Sequence, residues 1–398
     1  MKKYKSPNII LVVLLIATLS LLIISCKQDP STLYTYQSPE NINDGLEVGS
    51  LEEVNIDSAL IEKSVNDINR GKYREVHSIL IYKDGKLVLE EYFDGYKYKW
   101  DGPNYNGDWV IWTRSTEHVL QSVTKSITSI CIGIAVDNGF IQSVNQSIFD
   151  YLPEYQHLNT DGKKKITIEH LLTMTSGLKW DEWGAPNNSP DNDAIGLWFH
   201  DEGPITFLLE RPLINEPGTS FTYNGGGIDI LGEILKNATN MDIDEFSRKY
   251  LFEPLGIDFF NWYNRFENGV IDAASGLKMI PRDMVKIGVT FLNNGVWNGK
   301  QIISEQWVEK SATTYPGNTR IKLPGEDSGR VGYSYSWWTK QYSNSGKKIN
   351  MFWAGGWGGQ RIMVFPELNS VVVFTGGNWT SNVQTFKILG KYIIPAIS

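Results

Sequence analysis

His118-Val-Leu-Gln-Ser122-Val-Thr-Lys125 runs without a break into Ser126-Ile-Thr-Ser-Ile-Cys131-Ile-Gly-Ile-Ala-Val136. The second stretch is apolar nearly all round, and a helix without a polar face has to be buried. The pattern predicts a helix over Ser126–Val136, inside a helical lobe, ended by Asn138-Gly139. At its start Ser122 and Lys125 stand at i and i+3, on one helical face. The same S-x-x-K spacing recurs at Ser176–Lys179, Ser275–Lys278 and Ser345–Lys348. There glycine follows the serine each time, which suits a turn and disfavours a first helical turn.

That pairing has a chemical meaning. Serine is a poor nucleophile unless a base lies within hydrogen-bond reach. A lysine desolvated at a buried helix start loses proton affinity and can act as that base. The helix N-terminus also offers a free backbone N–H to a developing oxyanion. By itself the local sequence favours a plain alternative, with Ser122 as a helix cap and Lys125 as a solvated charge, since caps are commoner than nucleophiles.

Outward from this segment, Leu51–Asn69 carries a helical apolar pattern. His77–Tyr82 and Leu87–Phe93 flank Asp84-Gly85, a hairpin signal. Ile280-Pro-Arg-Asp283 starts a helix through Phe291, with proline where its missing N–H is harmless. Strands are expected at Gly332–Thr339, Ile349–Ala354, Gln360–Phe365 and Ser370–Thr375, then a closing helix over Asn382–Ile394. Strands at both ends with helices between define an α+β chain. One antiparallel sheet is built from N- and C-terminal strands and flanked by helices, with a mainly helical lobe inserted at about 122–295.

The chain has 398 residues, 41% hydrophobic and 21% charged, with a net charge of −8 and no basic stripe. Such an acidic chain is not a nucleic-acid binder. Lys2, Lys3 and Lys5 precede the apolar run Ile9–Ile24, which reads as an export signal over residues 1–25. Ile23-Ile-Ser-Cys26 is similar to a bacterial lipobox, which implies lipidation of Cys26 and a membrane-anchored lipoprotein of the cell envelope. An uncleaved anchor is the alternative. Residues 26–50 read as a tether and 51–398 as the folded domain. Cys131, among isoleucines, reads as a buried structural thiol. No G-x-S-x-G or H-E-x-x-H occurs, and the five histidines are scattered.

Further segments turn the balance towards chemistry. His118–Lys125 resembles the nucleophile segment of the serine β-lactamase and penicillin-binding-protein superfamily, closest to its class C-like esterases, peptidases and 6-aminohexanoate-oligomer hydrolases. Leu171–Leu178, Pro217–Tyr223, Ala274–Asp283 and Gly356–Gln360 follow in the same order. The resemblance covers about Val76 to the C-terminus. It implies a β-lactamase-like fold and an acyl-enzyme on Ser122, with Lys125 as base and Tyr223 as proton relay. The substrate would be a small-molecule or short-peptide ester or amide, and no metal or organic cofactor is implied.

Two departures from the family pattern stand out. The second motif, Y-x-N, places its tyrosine at Tyr223, but Gly225 stands where asparagine is usual. The literal Tyr342-Ser343-Asn344 lies beyond the expected interval, in a stretch that reads as a loop. The third motif, K-T-G or H-x-G, falls on Ala354-Gly355-Gly356 without a basic residue, or on Trp353 if the register moves by one. The resemblance makes the backbone N–H groups of Ser122 and Trp357 the oxyanion hole. Arg361 is a substitute cation for a substrate carboxylate only if a bulge turns it, since strand alternation aims it away from Ala354's face. The altered motifs also suit a binding or sensor protein without turnover. A DD-peptidase fits the envelope but not the missing cation. Trp180, Asp181, Glu182 and Trp183 read equally as cleft or packing residues.

Overall fold

Asp84 and Gly85 both adopt left-handed backbone angles (φ 49° and 90°), as a two-residue hairpin turn requires. They join β1 (Val76–Lys83) to β2 (Lys86–Tyr92) in the computed structural model, which describes residues 33–344, 346–380 and 382–398. A second hairpin, β3 (Asp94–Tyr98) and β4 (Asn106–Ile111), forms its own two-stranded sheet. Strand β5 (His118–Val119) joins β6 (Phe260–Trp262) and β7 (Leu277–Met279) in a three-stranded sheet, with β7 central. A short pair, β8 (Val296–Trp297) and β9 (Lys300–Gln301), comes next. The C-terminal part supplies β10 (Ile321–Lys322), β11 (Arg330–Ser334), β12 (Trp337–Asn344), β13 (Lys347–Gly356), β14 (Gln360–Phe365) and β15 (Ser370–Gly376).

The main sheet is antiparallel, in the order β10-β11-β12-β13-β14-β15-β1-β2. Pairing of β1 with β15, Ile79 opposite Phe374, unites the two ends of the folded region as the sequence predicts. Helix α1 (Ser58–Asn69) precedes the sheet, and α2 (Val123–Asp137) packs between α3 (Gly225–Thr239) and β13. Every residue of α2 from Val123 to Ala135 is buried. Helix α4 (Pro281–Leu292) covers β14, β15 and β1 on one face of the sheet.

Four sequence expectations change here, and a fifth at the site. Leu51–Asn69 is not one helix: a short turn at Glu52–Val54 ends on left-handed Asn55, and Asp57 caps a new start by accepting from the Ala59 N–H. Gly332–Thr339 is two strands, because Tyr335 and Ser336 (φ 39° and 64°) reverse the chain. Partners distant in sequence hold that turn: the Ser336 N–H donates to Leu172 O (2.8 Å) and the Tyr335 hydroxyl to Glu169 (2.5 Å). The described part of the expected tether is docked, with Leu46 buried and the Tyr36 hydroxyl donating to Val88 O at 2.8 Å. The closing helix is three short pieces between Thr385 and Ile397. Residues 1–25 and Cys26 lie outside the described residues.

Candidate active site

Ser122 occupies the N-cap position of α2, yet its side chain makes no capping bond. Its Oγ instead accepts a hydrogen bond from Lys125 Nζ at 3.0 Å, one turn along the same face. Lys125 is 3% exposed and also donates to Ala274 O at 3.2 Å. The cap-and-solvated-charge alternative therefore does not describe this pair. Gln121, just before the serine, is held left-handed at φ 50°, strain of the kind that clusters at functional sites. The other S-x-x-K serines do not sit this way. Ser275 donates to Asp272 while Lys278 lies over the Tyr263 ring, Ser176 accepts from Leu178 N, and Ser345 lies outside the described residues.

Tyr223 reaches the pair from the loop before α3. Its side chain lines the same cleft as Ser122, and Lys125 Nζ lies 5.2 Å from its ring centre. Burial pushes the phenol above its ordinary range and the Glu182 carboxylate adds to this, while the Ser122 side chain pulls the other way. The ring is stacked between Trp183 (5.0 Å) and Trp338 (5.7 Å). Asn224 is spent on the helix start, where its Oδ1 accepts from the Gly227 N–H at 3.0 Å. At Gly225, the departure from Y-x-N, Glu182 fills the space: it accepts from the Gly225 N–H (2.7 Å) and from Trp180 Nε1 (2.9 Å). Tyr342-Ser343-Asn344, expected in a loop, forms the end of strand β12 and takes no part in the cleft. Sequence reading left Glu182 undecided because its partner is 43 positions away.

Strand β13 forms the opposite wall. A Cβ on Gly356 would lie 2.2 Å from Leu120 O and 3.2 Å from Val123 N, so only glycine lets the strand end abut the Ser122 turn. Among the described residues, neither the Ser122 nor the Trp357 N–H donates to a backbone carbonyl outside the regular elements. Ala354 is buried and pairs with Ile362, while Gly355 pairs with Arg361. Arg361 thus lies on the opposite face from Ala354, as alternation predicts, and that face is the cleft's. Its guanidinium is neutralised by both carboxylate oxygens of Glu326 and donates to Gly356 O and Gln360 O, each at 2.7 Å.

These walls enclose a cleft of about 750 Å³. On its floor Asp272 accepts from the N–H groups of Ala274 and Ser275, from Ser275 Oγ and from Asn264. Burial, with Asp272 adding, pushes the nearby Asp229 carboxyl well above the carboxylate range, against the pull of Lys125. Cys131 is buried in α2 and its thiol is pushed up by burial, as a structural thiol should be.

A serine at a helix start paired with a buried lysine, faced by the end of sheet strand β13 and roofed by a helical lobe, defines the β-lactamase/transpeptidase-like class. Residues 70–381 match the Beta-lactamase family model, and the chain belongs to that family. It is 25% identical over 266 residues to 6-aminohexanoate-dimer hydrolase of Paenarthrobacter ureafaciens, covering 64% of this chain and 65% of that one. It is 27% identical over 222 residues to a Salmonella agona protein provisionally named D-alanyl-D-alanine carboxypeptidase, covering 53% of this chain and 49% of that one. The matches thus span from about half to just under two-thirds of these relatives. A family VIII carboxylesterase structure superposes with a TM-score of 0.63 at 15% identity, over 84% of this chain and 96% of that one.

Proposed function

We propose that the protein is a serine hydrolase that cleaves ester or amide bonds through an acyl-enzyme on Ser122. The observation that carries this reading is the Ser122 hydroxyl, hydrogen-bonded to the buried Lys125 ammonium, free of any capping duty and sharing its cleft with Tyr223. Lys125 takes the Ser122 proton as Oγ attacks the substrate carbonyl. The oxyanion forms against the N–H groups of Ser122 and Trp357. Tyr223 relays a proton to the departing alcohol or amine, and water then attacks the acyl-serine with the same groups reversed. With Arg361 neutralised by Glu326, uncharged substrates are favoured over carboxylate-bearing ones.

The substrate is a small molecule or short peptide. Through Cys26, outside the described residues, the mature chain is anchored in the bacterial cell envelope by acyl chains. Incubation with a fluorophosphonate and mass spectrometry of the adduct tests the nucleophile, and an ester and amide panel then tests turnover. Labelling at Ser122 with hydrolysis is the expected result. Labelling at another serine overturns the assignment, and labelling without turnover leaves a binding or sensor protein.

A further inference from the structure

We propose that the β3–β4 hairpin is the specificity element of this cleft, its Tyr98 and Trp100 forming with Trp357 an aromatic subsite for substrates bearing an aryl or similarly large apolar group. The inference rests on the Ser122 reading and names the substrate class for it.

The hairpin is bound to the reaction centre through rings. Trp357, the second oxyanion donor in the proposed reading, has its own ring held by Tyr105 (4.9 Å), Trp379 (5.4 Å) and Tyr98 (6.1 Å). Tyr98 also packs on Trp379 at 4.9 Å, and it lines the cleft together with Gln121, the neighbour of Ser122. Trp100 sits at the hairpin tip on the cleft wall, supported on one side by Tyr105 (5.8 Å) and 48% exposed. A large ring left half bare at a cleft mouth offers its face to a ligand. The far rim answers it with Trp183, Trp198 and the 72% exposed Phe199.

Charge selects against anionic substrates. The cations on the wall are Lys125, committed to Ser122 and Ala274, Arg265, paired with Asp244 at 2.7 Å, and Arg361, paired with Glu326. Glu182, Glu267 and Asp272 also line it. An uncharged aryl ester or amide therefore matches the wall in shape and charge, whereas a carboxylate meets acids and, among the described residues, two arginines already ion-paired and a lysine engaged by Ser122.

The test compares kcat/KM for nitrophenyl phenylacetate and nitrophenyl acetate, which share a leaving group, and for naphthyl acetate and ethyl acetate, which share an acyl group. Trp100→Ala should lower the aryl-to-small ratio at least tenfold in one or both pairs, mainly through KM, and Trp100→Phe should restore most of it. Trp109→Ala changes an exposed ring on the same hairpin away from the cleft wall and should leave both ratios as in wild type. Unchanged ratios in Trp100→Ala overturn the inference while leaving the Ser122 reading intact. Undiminished ester hydrolysis by Ser122→Ala overturns the reading, and the subsite falls with it.

Discussion

A single methyl group separates a working Ser122 turn from a broken one. On Gly356 it would meet Leu120 O at 2.2 Å, pushing β13 and the Trp357 N–H away from the serine. Gly356→Ala should cost about 1–3 kcal/mol of stability as an overpacked contact. Displacing one oxyanion donor should also lower kcat by about 10²–10³. Thermal melts and ester kinetics check both, and wild-type kcat in Gly356→Ala would remove Trp357 from the oxyanion hole. Lys125→Met should lower kcat/KM by about 10²–10⁴, the range of a positioned base. A variant retaining more than a tenth of wild-type kcat/KM would show that another group takes the serine proton. Ser122 and Lys125 were legible in the sequence because S-x-x-K is a local spacing on one helix. Glu182 was not, since its value lies in meeting the Gly225 N–H across a loop.

At the scale of elements, β1 and β5 are clamped together by rings. His118 stacks on Trp112 at 3.7 Å, His77 packs beside both, and Ser78, Thr375 and His118 form a buried hydrogen-bond chain. Burial holds both imidazoles below their ordinary pKa, and His77 lowers His118 further. The sign follows from linkage: a histidine whose folded pKa lies below the unfolded value of about 6.5 gives full stability above that pH and loses it as pH falls. These two histidines should therefore pull Tm down between pH 6.5 and 5, against buried carboxyls such as Asp229 whose raised pKa pulls the other way, and His118→Gln should change the slope by about one proton. An unchanged slope would mean that other groups take up the protons. On β14, wild type should turn over a short-chain nitrophenyl ester more efficiently than a chromogenic cephalosporin. A hydrogen bond to a charged group is worth about 1.5–3 kcal/mol, so Glu326→Gln, by freeing Arg361, should narrow that gap by roughly ten- to a hundredfold. The same change should cost up to about 3–5 kcal/mol, because Arg361 is left buried and unpaired. A gap that does not narrow would show that Arg361 cannot reach the substrate carboxylate.

For the molecule as a whole, the site is a seam between the sheet and the helical lobe. Helix α2 is sewn to both sides by its own hydroxyls: Ser126 Oγ donates to Ser336 O (2.6 Å) and Thr128 Oγ1 to Ala273 O (2.7 Å). Thr128→Val keeps the shape but strands a buried carbonyl, and should cost about 1–3 kcal/mol in denaturant unfolding. The sequence by itself determined the buried helix, the serine-lysine spacing, the β1–β2 hairpin and the return of strands at the C-terminus. Each of these is a property of neighbouring residues: apolar period, turn residues, side chains one helical turn apart. Only the tertiary structure decided that Gly332–Thr339 bends back at Tyr335-Ser336, that residues expected in the tether dock on β2, and that Arg361 spends its charge on Glu326. It also decided which tyrosine meets the serine, Tyr223 rather than the literal motif at Tyr342. Those outcomes depend on partners tens to hundreds of positions away, brought close by burial of the core, and no local pattern in the chain records a partner it meets only after folding.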